Sequence, residues 1–194
     1  DRTRLVGSEM CIRDSSYIAD EYPKTVQYDI DQISIFTIDI EVQCENGFPN
    51  PEAAAEPFLS ITIKNHQSKE FVVWGIGEFR NDRADVRYVQ CESEIHLLKE
   101  FLAFWENNQP DIITGWNTEF FDIPYLCNRI HKLFGEDEVK RLSPWRSVQS
   151  REMFQMGRKH QLYDIQGIAH LDYFDLYRKF TYTNQESYRL DHIA

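Results

Sequence analysis

Cysteine is scarce in this chain, and what there is stands apart: Cys11, Cys44, Cys91 and Cys127 form no CxxC pair. That spacing excludes a zinc ribbon and a disulfide scaffold and fits a reducing compartment. The six histidines include no HExxH or HxH cluster, which argues against a histidine-rich metal site. No apolar run is long enough to cross a bilayer, and no N-terminal stretch has the basic-then-apolar form of a signal peptide. Internal repeats and low-complexity segments are also missing. Basic residues are outnumbered, 21 against 32 acidic, for a net charge of −11. Taken alone, this deficit opposes nucleic-acid binding, which usually draws on a basic surface. It does not exclude a local basic groove.

What is present is enough for a core. The 194 residues are 42% hydrophobic and 14% aromatic, which suits one domain of ordinary size and rules out a disordered chain. The organising stretch is Ser34-Ile35-Phe36-Thr37-Ile38-Asp39-Ile40-Glu41-Val42. It reads as a buried strand, β-branched and aromatic with no Gly or Pro. Alternation puts Phe36, Ile38, Ile40 and Val42 on one face and Ile33, Ile35, Thr37, Asp39 and Glu41 on the other. Two acids thus stand side by side on a strand built to be inside. Adjacent buried carboxylates repel and resist ionisation, and a divalent cation relieves both penalties. The plainer reading is that the strand emerges into solvent at Asp39.

Residues 1–15 show no usable periodicity and read as a non-native leader, set aside from the fold. Residues 16–32 are polar and read as a linker into the first strand. The Asn-Gly and two prolines of residues 43–51 mark a loop. Residues 58–64, 70–77 and 85–90 read as strands, and their short connections suggest antiparallel order. Residues 93–107 form an amphipathic helix with Ile95, Leu98, Leu102 and Trp105 inward and Glu94, Lys99 and Glu106 outward. A short strand at 111–114 is broken by Gly115. A helix then begins near Pro124, with Asp122 where an N-cap would lie, and runs to Gly135. A cap and a metal ligand are partly compatible roles for that carboxylate. Residues 136–142 suggest a short helix. Residues 151–164 suggest a hairpin with a basic tip, or a plain surface turn. A strand at 168–172 leads into a helix marked by Phe174, Leu176, Tyr177 and Phe180. Residues 187–194 look like a helix just beginning, without a stop signal, as in a truncated chain. The alternation of strands and helices predicts an α/β layer.

Two acidic motifs stand out in order: Asp39-x-Glu41 on a strand, and Asn117-x-x-x-Phe121-Asp122 at a strand-to-helix junction. Together they resemble the Exo I and Exo II motifs of family B DNA polymerases, particularly the T-even-type phage group. Thr114-Gly115-Trp116-Asn117, Phe121-Asp122-Ile123-Pro124-Tyr125, Arg141-Leu142-Ser143-Pro144, Leu171-Asp172-Tyr173, Asp175-Leu176-Tyr177 and residues 180–188 look like the same group. The resemblance covers residues 17–194.

The resemblance implies a ribonuclease H-like fold over residues 33–194: a mixed β-sheet flanked by helices, cut short before the Exo III motif. It implies a 3′→5′ proofreading exonuclease using two divalent ions, Mg²⁺ or Mn²⁺, with Asp39, Glu41 and Asp122 matching three of four metal-binding carboxylates. By the same likeness Asp39 bridges the ions, Glu41 holds the one that activates water, and Asp122 supports the second. The fourth carboxylate belongs to Exo III, so this chain alone is expected to be weak or inactive. For substrate, the likeness points to Phe48 as a base-stacking aromatic, which could equally plug the core. Asn117 positions the terminal nucleotide or organises the turn; Phe121 packs or contacts. Met156 and Arg158 fall where phage relatives carry a strand-separating hairpin, although this hairpin sequence departs from theirs. The partners implied are a frayed DNA 3′ end, the rest of a polymerase and a sliding clamp through a missing C-terminus, in the cytoplasm of a phage-infected bacterium, with no membrane.

Two other classes compete: a non-catalytic DNA-binding or structural module of the same fold, and a stand-alone exonuclease. A replaced downstream Asp would favour the first. The polymerase-like lead-in at residues 17–31 argues against the second.

Overall fold

In the computed structural model the described residues are 16–17, 19–23, 29–45, 47–155, 157–182 and 185–193. The expected leader at 1–15 and the hairpin residue Met156 lie outside them. The chain divides into two units, Asp1–Gln32 and Ile33–Ala194. In the first, Ile30–Gln32 form a 3-10 turn.

The frame of the second unit is a six-stranded mixed sheet of order β4-β3-β2-β1-β5-β8. The strands are β1 (Ile35–Val42), β2 (Phe58–Asn65), β3 (Phe71–Ile76), β4 (Val86–Cys91), β5 (Ile112–Gly115) and β8 (Ala169–Asp172). A separate hairpin joins β6 (Val148–Gln155) to β7 (Arg158–Ile165). β1 is central, antiparallel to β2 and parallel to β5. Its register sets Ile38 beside Ile63 and Ile40 beside Ile61, and Ile61 in turn faces Trp74 of β3. These residues line one apolar face, while Asp39 opposite Thr62 and Glu41 opposite Ser60 line the other.

The expected antiparallel order holds for β2 and β3 but fails for β3 and β4, which are parallel. Nine residues separate Ile76 from Val86. Extended, they reach roughly 30 Å, more than the ~20 Å needed to return along a six-residue strand. That connection is not a tight hairpin and leaves the direction free.

Helix α1 (Glu94–Asn107) starts at Ser93, whose hydroxyl accepts the His96 N–H at 3.3 Å. It buries Leu97, Leu98, Phe101, Leu102 and Trp105. Phe101 meets Trp74 edge-on at 5.5 Å, and Phe36 of β1 meets Trp105 at 6.3 Å. Each such side chain contributes about 1.5–3 kcal/mol by leaving water, so the aromatic cluster fixes helix to sheet. The Trp105 indole N–H also donates to Leu142 O at 2.8 Å. Two expectations for α1 fail. Ile95 is exposed, and Glu94 points inward to a buried guanidinium. A favourable partner, Arg129, reverses the usual preference of a glutamate for solvent.

Helix α2 (Asp122–Phe134) buries Ile123, Tyr125, Leu126, Cys127 and Ile130 and stops at Gly135, whose φ of +96° suits glycine. The one-turn α3 (Glu136–Val139) follows. The hairpin is confirmed, with Gln155 paired to Arg158 and Gly157 at φ +73°. Of its basic residues, Lys159 is paired with Glu152 at 2.5 Å. Helix α4 (Tyr173–Phe180) is capped by Asp172, and a last turn α5 spans Leu190–Ile193. The described cysteines, Cys44, Cys91 and Cys127, are free thiols.

Candidate active site

β5 accompanies β1 only as far as the Thr37–Thr114 pair. Beyond it the chain turns away after Gly115, and among the described residues no strand pairs with the next stretch of β1 on that side. A Cβ at Gly115 would stand 2.7 Å from Ile38 O and 2.3 Å from Thr118 Cγ2, so only glycine allows this approach. Into the gap comes Asp122 from the start of α2. Its Oδ1 accepts the Ile40 N–H at 3.1 Å. Ile40 lies between Asp39 and Glu41, so a carboxylate eighty residues away is brought to the acidic pair. Asp122 is buried. It is not the helix N-cap expected from its position: Phe121 is the flanking residue, and no side chain caps the helix there. Asp122 is already the first residue of the helix, one position past the cap.

The electrostatics follow from this placement. Burial pushes the Asp122 carboxyl up to about 8, with Asp39 adding to the rise and the Ile40 N–H opposing it. Asp39 is also raised, first by burial of its carboxyl and then by Glu41, although Asp39 and Glu41 are both exposed residues, so the strand does open to solvent at Asp39 as the plainer reading had it. Among the described residues, no lysine or arginine forms an ion pair with Asp39, Glu41 or Asp122. Also among the described residues, no three His, Cys, Asp or Glu side chains are drawn into a ready-made metal cage. The three acids are linked pairwise, Asp39 to Glu41 and Asp39 to Asp122.

A cleft of about 650 Å³ gathers four of the five expected substrate residues: Phe48, Asn117, Phe121 and Arg158. The three acids are not in its lining. Phe48 is 81% exposed, which removes the core-plug reading, and its ring lies 4.9 Å from that of Phe121. Phe121 is half-buried and also meets Tyr125 at 5.7 Å, so it packs and lines the cleft together. Asn117 adopts φ +63°, the left-handed region that asparagine tolerates better than most residues. Its carbonyl accepts the Phe120 and Phe121 N–H groups at 3.2 and 3.1 Å, so it shapes the turn while facing the cleft. Lys159, His160 and Arg178 join Arg158 there. An acidic chain therefore carries a local basic and aromatic groove.

Three residues not among the expected site residues, Asp172, Arg178 and Phe174, lie at the turn or the cleft. Asp172 is buried and caps α4; its place between a strand and a helix was the signal for that cap. Arg178 lies over the rings of Phe174 and Tyr188, at 5.4 and 5.7 Å, and no local pattern announces it.

A mixed sheet flanked by helices, with acids on its central strand answered by one at a helix start, defines a ribonuclease H-like exonuclease fold. Residues 9–193 match the DNA polymerase family B exonuclease domain, and the chain belongs to that family. It is 37% identical to the DNA-directed DNA polymerase of Escherichia phage RB69 and 32% identical to that of Enterobacteria phage T4, in each case over 92% of this chain. The DNA polymerase delta catalytic subunit of Drosophila melanogaster is 32% identical over 66% of the chain. The chain spans 23% of the length of either phage relative. Among the described residues, no helix is long and apolar enough to cross a membrane.

Proposed function

We propose that this chain is the editing portion of a DNA polymerase, removing nucleotides from a DNA 3′ end by hydrolysis with two divalent ions. The observation that carries the reading is the Asp122–Ile40 hydrogen bond, which brings the third acid to the Asp39–Glu41 strand. The donor set fits hard cations: oxygen ligands only, partly desolvated, with mutual repulsion that a cation would relieve. Asp39, Glu41 and Asp122 would hold Mg²⁺ or Mn²⁺. Such ions supply an activated water and stabilise the attacking and departing oxygens of an in-line displacement.

The rest falls to the chain's own groups. Phe48 offers an exposed face to a terminal base, with Phe121 behind it. Asn117 orients the last nucleotide at the cleft, and Arg158 and Arg178 meet phosphates. Water attacks phosphorus and the 3′ oxygen of the shortened strand leaves, releasing a nucleoside 5′-monophosphate. A mismatched end reaches the site more readily because it costs less to unpair. DNA and the remainder of a polymerase are the partners on this reading. Contact with a sliding clamp through a C-terminal segment, and residence in the cytoplasm of a phage-infected bacterium, belong to it as well.

The test is Asp39→Ala in the full-length polypeptide, assayed on 5′-labelled single-stranded DNA with Mg²⁺ or Mn²⁺. Loss of most digestion with unchanged circular dichroism supports the assignment. Undiminished digestion overturns it and favours a non-catalytic DNA-binding module.

A further inference from the structure

Asp172 ends β8 and caps α4, and a cap needs only one bond. This carboxylate makes three. Oδ1 accepts the Phe174 N–H at 2.8 Å, which is the cap itself. Oδ1 also accepts the Asn117 N–H at 3.0 Å, and Oδ2 accepts the Glu119 N–H at 2.9 Å. The last two reach across more than fifty residues to the turn between β5 and α2. That turn contains the left-handed Asn117 and runs directly into Phe121 and Asp122. The carboxylate is 6% exposed, so its bonds compete little with water.

The geometry is that of an anion seated among backbone N–H groups. Asn117, at φ +63°, sits at the point where the turn directs its own N–H and that of Glu119 toward the same carboxylate. Thr118 is buried beside it, its hydroxyl 2.9 Å from His170 Nε2. Its carbonyl accepts the Ile123 N–H at 3.0 Å, the first link into α2. A chain of contacts thus runs from Asp172 to the turn, and from the turn to the start of the helix that delivers Asp122.

We propose that Asp172 is a positioning residue of the exonuclease site: its carboxylate holds the β5–α2 turn so that Asn117 faces the cleft and Asp122 meets β1. The assignment rests on the reading that Asp39, Glu41 and Asp122 form the hydrolytic centre. Asp172 holds two residues of the cleft lining, Asn117 and Phe174, by their backbone N–H groups, and its charge makes the smallest contribution to the rise of Asp122. It makes no hydrogen bond to the three acids and acts on them chiefly through the turn.

Serine separates the two roles. Asp172→Ser retains a cap for Phe174 but is too short and too poor in acceptors to hold both Asn117 and Glu119. Asp172→Asn keeps one acceptor and turns a donor toward Glu119. Both variants are made in the full-length polypeptide beside Asp39→Ala. They are read by hydrolysis of single-stranded DNA, by Mn²⁺ titration, and by amide hydrogen exchange at Asn117 and Glu119. The expected result for Asp172→Ser is a loss of tenfold or more in kcat, a raised KM and weaker Mn²⁺ binding. Faster exchange at those two amides should accompany it, with β1 and β2 protection unchanged. Asp172→Asn should fall between serine and the parent. Parental kinetics in the serine variant, with Asp39→Ala inactive, would reduce Asp172 to a helix cap and overturn the proposal while leaving the site reading intact. An active Asp39→Ala variant would remove the site reading and the proposal with it.

Discussion

Arg129 offers the sharpest test of how the fold supports the cleft. It sits on α2, and its guanidinium makes four bonds. Two go to the Glu94 carboxylate at 2.7 and 2.6 Å, and one each to Ala54 O and Ala55 O at 3.0 and 2.9 Å. Its side chain is 9% exposed and that of Glu94 12%. Glu94 Oε1 also accepts the Phe58 N–H at 2.9 Å. Arg129→Met keeps the length and apolar stem but strands a buried carboxylate and the Ala55 carbonyl, and leaves Ala54 O only a long bond from Lys132 at 3.5 Å. Removing one partner of a buried pair costs ~3–5 kcal/mol, mostly from the charge left behind. For a unit of this size each kcal/mol moves Tm by ~2–4 °C, so the melting midpoint should fall by roughly 6–20 °C. Adding Glu94→Gln removes the orphaned charge while keeping an acceptor for Phe58. The double variant should therefore recover to within ~2 kcal/mol of the parent. Thermal and urea denaturation of the four proteins at pH 7 give the cycle. A loss below ~1 kcal/mol for Arg129→Met, or a double variant weaker than both singles, would refute the reasoning.

Other outcomes follow from the site. The Asp122 carboxyl, raised to about 8 from an ordinary 3.8, carries no cost below pH 3.8, where folded and unfolded chains are both protonated. Stability is then lost as pH climbs toward 8, because the unfolded chain releases a proton that the fold retains. Without divalent ions, Asp122→Asn should melt several degrees above the parent at pH 8, with the gap shrinking at pH 5; equal midpoints at pH 8 would contradict the burial argument. Gly115→Ala should cost ~1–3 kcal/mol, because its Cβ meets Ile38 O and Thr118, and should weaken Mn²⁺ binding; an unchanged urea midpoint would count against that close approach. Phe48→Ala should leave stability within ~0.5 kcal/mol, since the ring is exposed. It should weaken single-strand binding by ~1–3 kcal/mol in a fluorescence titration; parental affinity would show that the ring does not stack.

Period and punctuation announced most of the elements. Alternation over residues 34–42 placed Asp39 and Glu41 on one face of β1, as observed, because a half-buried strand can show only one apolar side. The loop, the α1 pattern and the Gly135 stop were equally plain. Strand direction at β4 was not, since a nine-residue link permits either sense and no local residue decides between them. Nor was the inward turn of Glu94, whose partner lies 35 positions away. The acids of the candidate site are visible as residue types, and the likeness of motifs groups Asp122 with Asp39 and Glu41, but the Ile40 N–H that holds it is not legible, because that bond depends on an edge of β1 beyond its pairing with β5. Two of the three Asp172 bonds join β8 to the turn across more than fifty residues, a separation that periodicity cannot register.

Helix α2 has a second attachment whose effect reaches beyond stability. Besides Arg129, Tyr125 donates its hydroxyl to Glu56 O at 2.6 Å, and Asn128 donates to Pro51 O at 2.9 Å while accepting from Tyr163 of the hairpin at 2.5 Å. One rigid rod thus bears a carboxylate at its tip and is laced along its flank to the segment presenting Phe48. A tilt of that rod would act as a lever on both ends at once. On the proposed function, grip on a frayed terminus and cutting of that terminus would then deteriorate in step, and variants that weaken one while sparing the other should be hard to find along this helix.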